Sequence, residues 1–179
     1  MNRANVLLLA VLSVGLLTDG APRAESERKP AYSAATPLDD AQRISEIVLQ
    51  RNPALSQGEA LRIGRAVVRS SAKYDLDPDL VTAVLIVESG ARPWAQSHKG
   101  AVGLMQVMPY MVAGMQLAGN LTTIESNVEA GCVILADNIR RLGEDDGISA
   151  YFWGSNIRGV AYLDRVRAAR AQVRRLSES

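Results

Sequence analysis

Apolar residues recur at helical spacing through most of this chain, and start and stop residues divide them into segments. Thr36-Pro37-Leu38-Asp39 predicts a helix start, with the helix running to about Gln50 and Pro53 blocking continuation. Ser56-Gln57-Gly58-Glu59 has capping-box spacing, and Leu61, Ala66, Val67 and Val68 carry the following helix towards Tyr74. Asp77 suits an N-cap, Pro78 the first helical position, and Asp79 the positive helix end. Leu80, Val84 and Glu88 follow on one face, flanked by Val81 and Leu85, and Gly90 offers a stop. After a glycine-rich stretch, residues 109–117 read as a short helix. Ser126-Asn127-Val128-Glu129 reads as a second capping box, for a helix ending before Gly143. Asp145-Asp146 precedes a short helix through Tyr151, and a last helix runs from near Asn156 to Gly159 as far as Leu176. Neither strand alternation nor an internal repeat is visible, so the pattern predicts an all-α single domain over residues 37–178.

Glu88 is the residue that draws attention to chemistry. It projects from the face of its helix that should be buried, and it lies in the last turn, where the dipole presents negative charge. Both effects push a carboxyl pKa upward, and an acid that keeps its proton near neutral pH can serve as a general acid. An ordinary Glu in a last turn points outward instead. The stretch after it changes that balance. Gly90, Gly100 and Gly103 allow tight turns and close backbone approach to a ligand. Leu104, Met105, Val107 and Met108 can wall a groove, and Ser97 and Gln106 can hydrogen-bond into it. Taken alone, the same stretch could be ordinary core.

Glu88-Ser89-Gly90, Pro93, Ala95, Ser97, Gly100-Ala101, Gly103-Leu104-Met105-Gln106 and Met108-Pro109 resemble the signature of the soluble lytic transglycosylase (SLT) catalytic domain. Asn127 with Ala130-Gly131, the segment Ala150-Tyr151-Phe152-Trp153-Gly154, and Tyr162 extend the similarity over residues 72–170. Phe152 departs from the pattern, standing where the family usually has Asn. The connection between Tyr151 and Tyr162 is also shorter than in many relatives. Trp94 is bulkier than usual for its place, and either stacks on a sugar or fills space.

The resemblance implies a lysozyme-like helical domain with a substrate cleft. It implies cleavage of the β-1,4 bond between N-acetylmuramic acid and N-acetylglucosamine in peptidoglycan, without water, leaving 1,6-anhydro ends. Glu88 would be the single acid and base. Ser97, Gly103, Met105, Gln106, Tyr151 and Tyr162 would bind substrate, and Tyr162 would face Glu88. On the residues alone, both tyrosines read more readily as core, and so does Met105. No Asp or Glu occurs from Ser89 to Gly119, which favours one carboxylate over the usual glycosidase pair. Glu125 and Glu129 are expected to cap a helix instead. A muramidase-type hydrolase on the same fold, and a non-catalytic wall-binding or secretion-associated scaffold, are the alternatives.

Composition narrows the setting. With 179 residues and a net charge of +1, the chain has room for one domain and no global charge that suits nucleic acid. One His and one Cys make neither a zinc set nor an internal disulfide, and no metal or cofactor is expected. His98 reads as an exposed loop residue, with a sugar contact as the sharper option. Arg3 followed by the apolar run Val6 to Leu17 resembles an export signal, too short for a comfortable span. The expected organisation is a signal peptide over residues 1–24, a disordered tether over 25–36, and then the domain. Location in the periplasm or cell envelope, or secretion, follows as an expectation. So do contact with peptidoglycan strands, and with a cell-wall or secretion-system partner. The arginines Arg158, Arg165, Arg167, Arg170, Arg174 and Arg175 read as a solvated helix face, with a wall-contact surface as the alternative.

Overall fold

A computed structural model describes residues 36–113 and 120–177. The expected signal peptide, and the expected tether as far as residue 35, lie outside them. The described part is all-α, with helices α1 (Pro37–Arg51), α2 (Gln57–Tyr74), α3 (Pro78–Ser89), α4 (Ile124–Leu142), α5 (Glu144–Trp153) and α6 (Ala161–Ser177). Between α3 and α4 lies a long loop. It is braced by the isolated bridges Gln96–Val102 and Val102–Val107 and ends in a 3-10 turn over Pro109–Val112. Only the first part of the short helix expected over 109–117 is therefore seen, as a 3-10 turn, and residues 114–119 lie outside the description.

Local signals set most boundaries. Thr36 and Asp39 cap each other's backbone at the start of α1, and Ser56 and Glu59 do so for α2. Asp77 accepts from the Asp79 amide at the start of α3, and Gly90 ends that helix in the left-handed conformation. The capping box expected at Ser126–Glu129 is not the start of α4. Thr123 is the N-cap, its hydroxyl accepting from Ser126 N, and α4 begins at Ile124. Glu125 and Glu129 face α2. Glu125 takes a two-pronged hydrogen bond from Arg62, and Glu129 accepts from Lys73 and from Tyr74 Oη. Glu125 stands in the first turn of α4 as a helix-start acid and also ties α4 to α2, whereas Glu129 lies beyond that turn and serves the tie alone. Helices α5 and α6 begin at Glu144 and Ala161, one residue or more from the expected starts.

Helix α3 is the centre of the packing. Every residue from Leu80 to Leu85 is buried, so this helix is enclosed on all sides rather than presenting a single apolar stripe. α1 packs on α2, α2 and α5 on α4, and α6 runs along α3. The core joins Ile44, Ile63, Leu80, Leu85, Leu104 and Leu135 across these elements.

α6 lies antiparallel to α3. Tyr162, in its first turn, meets Glu88 at the C-terminal end of α3, while Arg170 and Arg174 bond Asp77 at the N-terminal end. Arg170 also reaches Glu144 at 2.8 Å, and Arg167 reaches Asp145 at 2.7 Å. Arg167, Arg170 and Arg174 thus clip helices together, while Arg158, Arg165, Arg167, Arg174 and Arg175 are exposed as a solvated face would have them. Burial pushes the Asp77 pKa up, but the arginine contacts and the Asp79 amide outweigh it, and the carboxyl sits below its ordinary value. Stability from this clip is present above the unfolded-state carboxyl pKa and is lost as pH falls through the depressed folded value.

Asp77→Ala removes both the cap and the partner of the half-buried Arg170. It should cost about 2–4 kcal/mol, more than loss of a cap alone. Asp77→Asn, which keeps the cap, should cost less. Urea midpoints at neutral pH check both, and equal, small losses would contradict the clip.

Candidate functional site

The site forms where the C-terminal turn of α3 meets the start of α6. Glu88 is part-buried there, and Tyr162 is 1% exposed. The Tyr162 hydroxyl donates to Glu88 Oε1 at 2.6 Å. Burial raises the pKa of Glu88, while the Tyr162 hydrogen bond and the positive charge of Arg165 oppose that rise without cancelling it. Burial, with the nearby Glu88 carboxylate, pushes the Tyr162 phenol far up, so its proton stays in place and the hydroxyl remains a donor.

The geometry has a chemical consequence. Tyr162 marks Oε1 as the acceptor oxygen, which leaves Oε2 as the place for the acid's own proton. Oε2 has no hydrogen-bond partner among the described residues.

Arg165 was not singled out as a site residue from the sequence. Its guanidinium lies 5.6 Å from the Tyr162 ring centre and 6.0 Å from that of Phe152. Phe152, 51% exposed, stacks on Tyr162 with ring centres 4.9 Å apart. The side chain in place of the family's Asn thus backs the tyrosine that holds Glu88, and it gives Arg165 a surface to rest on. Arg165 follows Tyr162 by three residues on α6, a helical spacing that signals their contact, whereas its nearness to Phe152 and Glu88 comes only from the fold.

The loop residues make extensive structural contacts. Met105 is wholly buried, so its side chain does not line an open cleft. It lies so close to α4 that a methyl group on Gly131 would come within 2.5 Å of Met105 Cβ. The Met105 carbonyl accepts from Tyr151 Oη at 2.8 Å, and its amide donates to Asn127 Oδ1 at 2.8 Å. Tyr151 therefore hydrogen-bonds the loop, and it also lies near enough to Glu88 that the carboxylate's charge adds to burial in pushing its phenol pKa up. Gly103 is buried with φ +76°, and a methyl group there would meet Asn127 Nδ2 at 2.2 Å. Asn127 Nδ2 also donates to the carbonyls of Val102 and Leu121. Asn127 thus pins the loop from α4, a role its place at a helix start did not reveal.

Ser97 Oγ accepts from the Ala101 amide at 3.0 Å and shapes the turn around Gly100. Gln106 has φ +47° and donates to the carbonyls of Ala95 and Gly103. A non-glycine residue held in that region stores backbone strain, common beside functional sites. His98 is exposed, and Trp94 is 69% exposed, so Trp94 does not fill the core. The structure thus brings Glu88 and Tyr162 into direct contact, while Ser97, Gly103, Met105, Gln106 and Tyr151 build the loop alongside. Glu88 also lines an open cleft of about 430 Å³ with Arg51, Asn52, Ser89, Gly90 and Arg92. Among the described residues lining it, Glu88 is the one acid.

A buried acid with a raised pKa costs stability when ionised. The cost is present above the folded-state pKa of Glu88 and disappears as pH falls below the unfolded-state value. Glu88→Gln, which can still accept from Tyr162, should therefore raise the melting temperature at pH 7, with a smaller gain at pH 4. Calorimetry at the two pH values checks this, and a larger gain at the lower pH would contradict it.

The family model described as the transglycosylase SLT domain matches residues 66–164. A transglycosylase of Enterobacteria phage PRD1 is 35% identical over 98 residues, covering 54% of this chain and 37% of the relative. Membrane-bound lytic murein transglycosylase C of Klebsiella pneumoniae is 30% identical over 123 residues, covering 58% of this chain and 34% of the relative. The chain thus spans about a third of the length of these curated relatives. An inactive mutant of the lytic transglycosylase Slt from Pseudomonas aeruginosa aligns with TM-score 0.46 and 18% identity, over 77% of this chain and 29% of that one. With the family model matched over more than half of its length, this chain belongs to the SLT transglycosylase family.

Proposed function

We propose that this protein is a lytic transglycosylase that cuts peptidoglycan strands between N-acetylmuramic acid and N-acetylglucosamine, with Glu88 as the single acid and base. The observation that carries the reading is the part-buried Glu88, its pKa raised and its Oε1 engaged by Tyr162. Relatives named as lytic murein transglycosylases support the substrate.

In this mechanism Glu88 Oε2 gives its proton to the glycosidic oxygen as the bond from that oxygen to the anomeric carbon breaks. The substrate's own N-acetyl group holds the anomeric carbon in the interval. The muramic C6 hydroxyl then attacks that carbon, and its proton returns to the Glu88 carboxylate. The sugar closes on itself as a 1,6-anhydro end, with no water consumed. A single carboxyl serves both transfers because the leaving and attacking oxygens are used in turn. Tyr162 and, through its charge, Arg165 position and tune that carboxyl. Ser97 and Gln106 support the groove wall through the loop turns they brace.

The proposed setting is the cell envelope, where relatives named as membrane-bound act. Export by residues 1–24, and recruitment by a cell-wall or secretion-system partner, belong to the same proposal. Among the described residues, no helix is long and apolar enough to cross a membrane.

Mass spectrometry of sugars released from peptidoglycan by the purified protein tests the chemistry. The expected products carry 1,6-anhydro-muramic ends, and Glu88→Gln should lower their rate of formation by about 10²- to 10⁴-fold. Reducing ends heavier by one water would mean hydrolysis, and an absence of products would favour a binding scaffold.

A further inference from the structure

The cleft beside Glu88 is unusual for a site that would bind only a neutral sugar. Arg51 and Arg92 both line it, and Glu88 is the one acid among its described lining residues. That acid is held towards its neutral form by burial. The cleft therefore presents an excess of positive charge to whatever enters it.

Both arginines have guanidinium groups available. Elsewhere the chain joins Arg62 to Glu125, Arg141 to Asp137, and Arg170 to Asp77 and Glu144. Arg51 and Arg92 have no carboxylate partner among the described residues. Arg92 uses Nε to bond the Ser89 carbonyl at 2.7 Å, which fixes the side chain and leaves its terminal nitrogens for a ligand. Arg51 stands in the last turn of α1, a place that also suits the helix dipole. It reaches further than that end of its own helix. Its Nε comes to within 4.0 Å of where a methyl group on Gly90 would sit, which places Arg51 beside the turn that follows Glu88.

The two sides of the cleft are tied together. Asn52 Nδ2 donates to the Ala91 carbonyl at 2.9 Å, joining the end of α1 to that same turn. Ala91 is wholly buried, with φ +61°. This link holds the segment carrying Arg51 at a set place beside the segment carrying Arg92. Planar guanidinium groups carried on segments joined in this way suit a carboxylate, which can take paired, charge-assisted hydrogen bonds.

We infer that the cleft lined by Arg51, Asn52, Gly90 and Arg92 is a subsite for a carboxylate carried by the glycan strand. The inference rests on the peptidoglycan reading for the identity of the polymer. Carboxylates occur there in two positions, on the lactyl group of muramic acid once the peptide is removed, and on the stem peptide while it is attached. Neutral oligomers of N-acetylglucosamine carry none. The subsite makes Arg51 and Arg92 determinants of which strand binds next to Glu88.

Binding is tested in Glu88→Gln protein, where turnover is suppressed, by calorimetric titration. The probes are peptide-bearing glycan fragments, the same fragments stripped of peptide by an amidase, and neutral N-acetylglucosamine oligomers. Arg51→Gln and Arg92→Gln should each weaken binding of a carboxylate-bearing probe about five- to tenfold and leave the neutral oligomer unchanged. Added salt should weaken the carboxylate-bearing probe alone. Loss confined to stripped fragments assigns the lactyl carboxylate, and loss confined to peptide-bearing ones assigns the stem peptide. Loss on both assigns both. Unchanged binding of every probe, equal loss on the neutral oligomer, or no binding of either carboxylate-bearing probe to the Glu88→Gln parent would overturn the subsite. Circular dichroism of each variant separates these outcomes from misfolding. Failure of the transglycosylase reading would show instead in the released products, whatever the binding results.

Discussion

The hydrogen bond from Tyr162 to Glu88 ties the chemistry to the fold, because its donor and acceptor come from helices far apart in the chain. It exists only if α6 lies antiparallel along α3 with the right register. The far end of that pairing is fixed by Asp77, which caps α3 and takes Arg170 and Arg174 from α6. Between the ends lies a helix so buried that sliding it would break a close-packed core. The same enclosure that holds α3 in place partly shields Glu88 from water and raises its pKa. Packing and acidity therefore have one origin.

The loop after α3 is held from the other side. Asn127 bonds the Met105 amide and the Val102 carbonyl, and Tyr151 bonds the Met105 carbonyl. The loop bonds to itself through backbone pairs such as Val102 with Val107 and Gly103 with Ala95, and side chains from α4 and α5 anchor it to the helices. Gly103 and Gly131 let the loop approach α4 closely enough for those bonds to form. The signature Gly-Leu-Met-Gln thus acts mainly as architecture that places the groove wall beside Glu88. Strain at Gln106 is tolerated because its side chain is fixed to the Ala95 and Gly103 carbonyls.

Much of this was legible locally. Asp77-Pro78 and Gly90 mark the ends of α3, and helical spacing alone puts Glu88 in line with Leu80 and Val84 on a buried face. Local signals also misled. Thr123 and Ser126 can both begin a helix, and Glu129 at capping-box spacing favoured the later start. The contacts of Glu129 with Lys73 and Tyr74, distant in sequence, show where that acid is used instead. The contacts of Arg167, Arg170 and Arg174 were not legible because their partners Asp145, Glu144 and Asp77 lie outside α6. Arg51 and Arg92 stayed hidden because α1 and the turn after α3 meet only in the fold. Charge at a site is a sum over elements that only tertiary structure brings together.

The central claim is that Glu88 is an acid made proton-holding by burial and oriented by Tyr162. Carbon-13 NMR titration of the Glu88 side-chain carboxyl, compared between the native protein and Tyr162→Phe, tests it most directly. Titration of Glu88 above the ordinary glutamate value, moving higher still when the phenol is removed, is the predicted result. Titration at or below the ordinary value, or a downward move in Tyr162→Phe, would contradict the account.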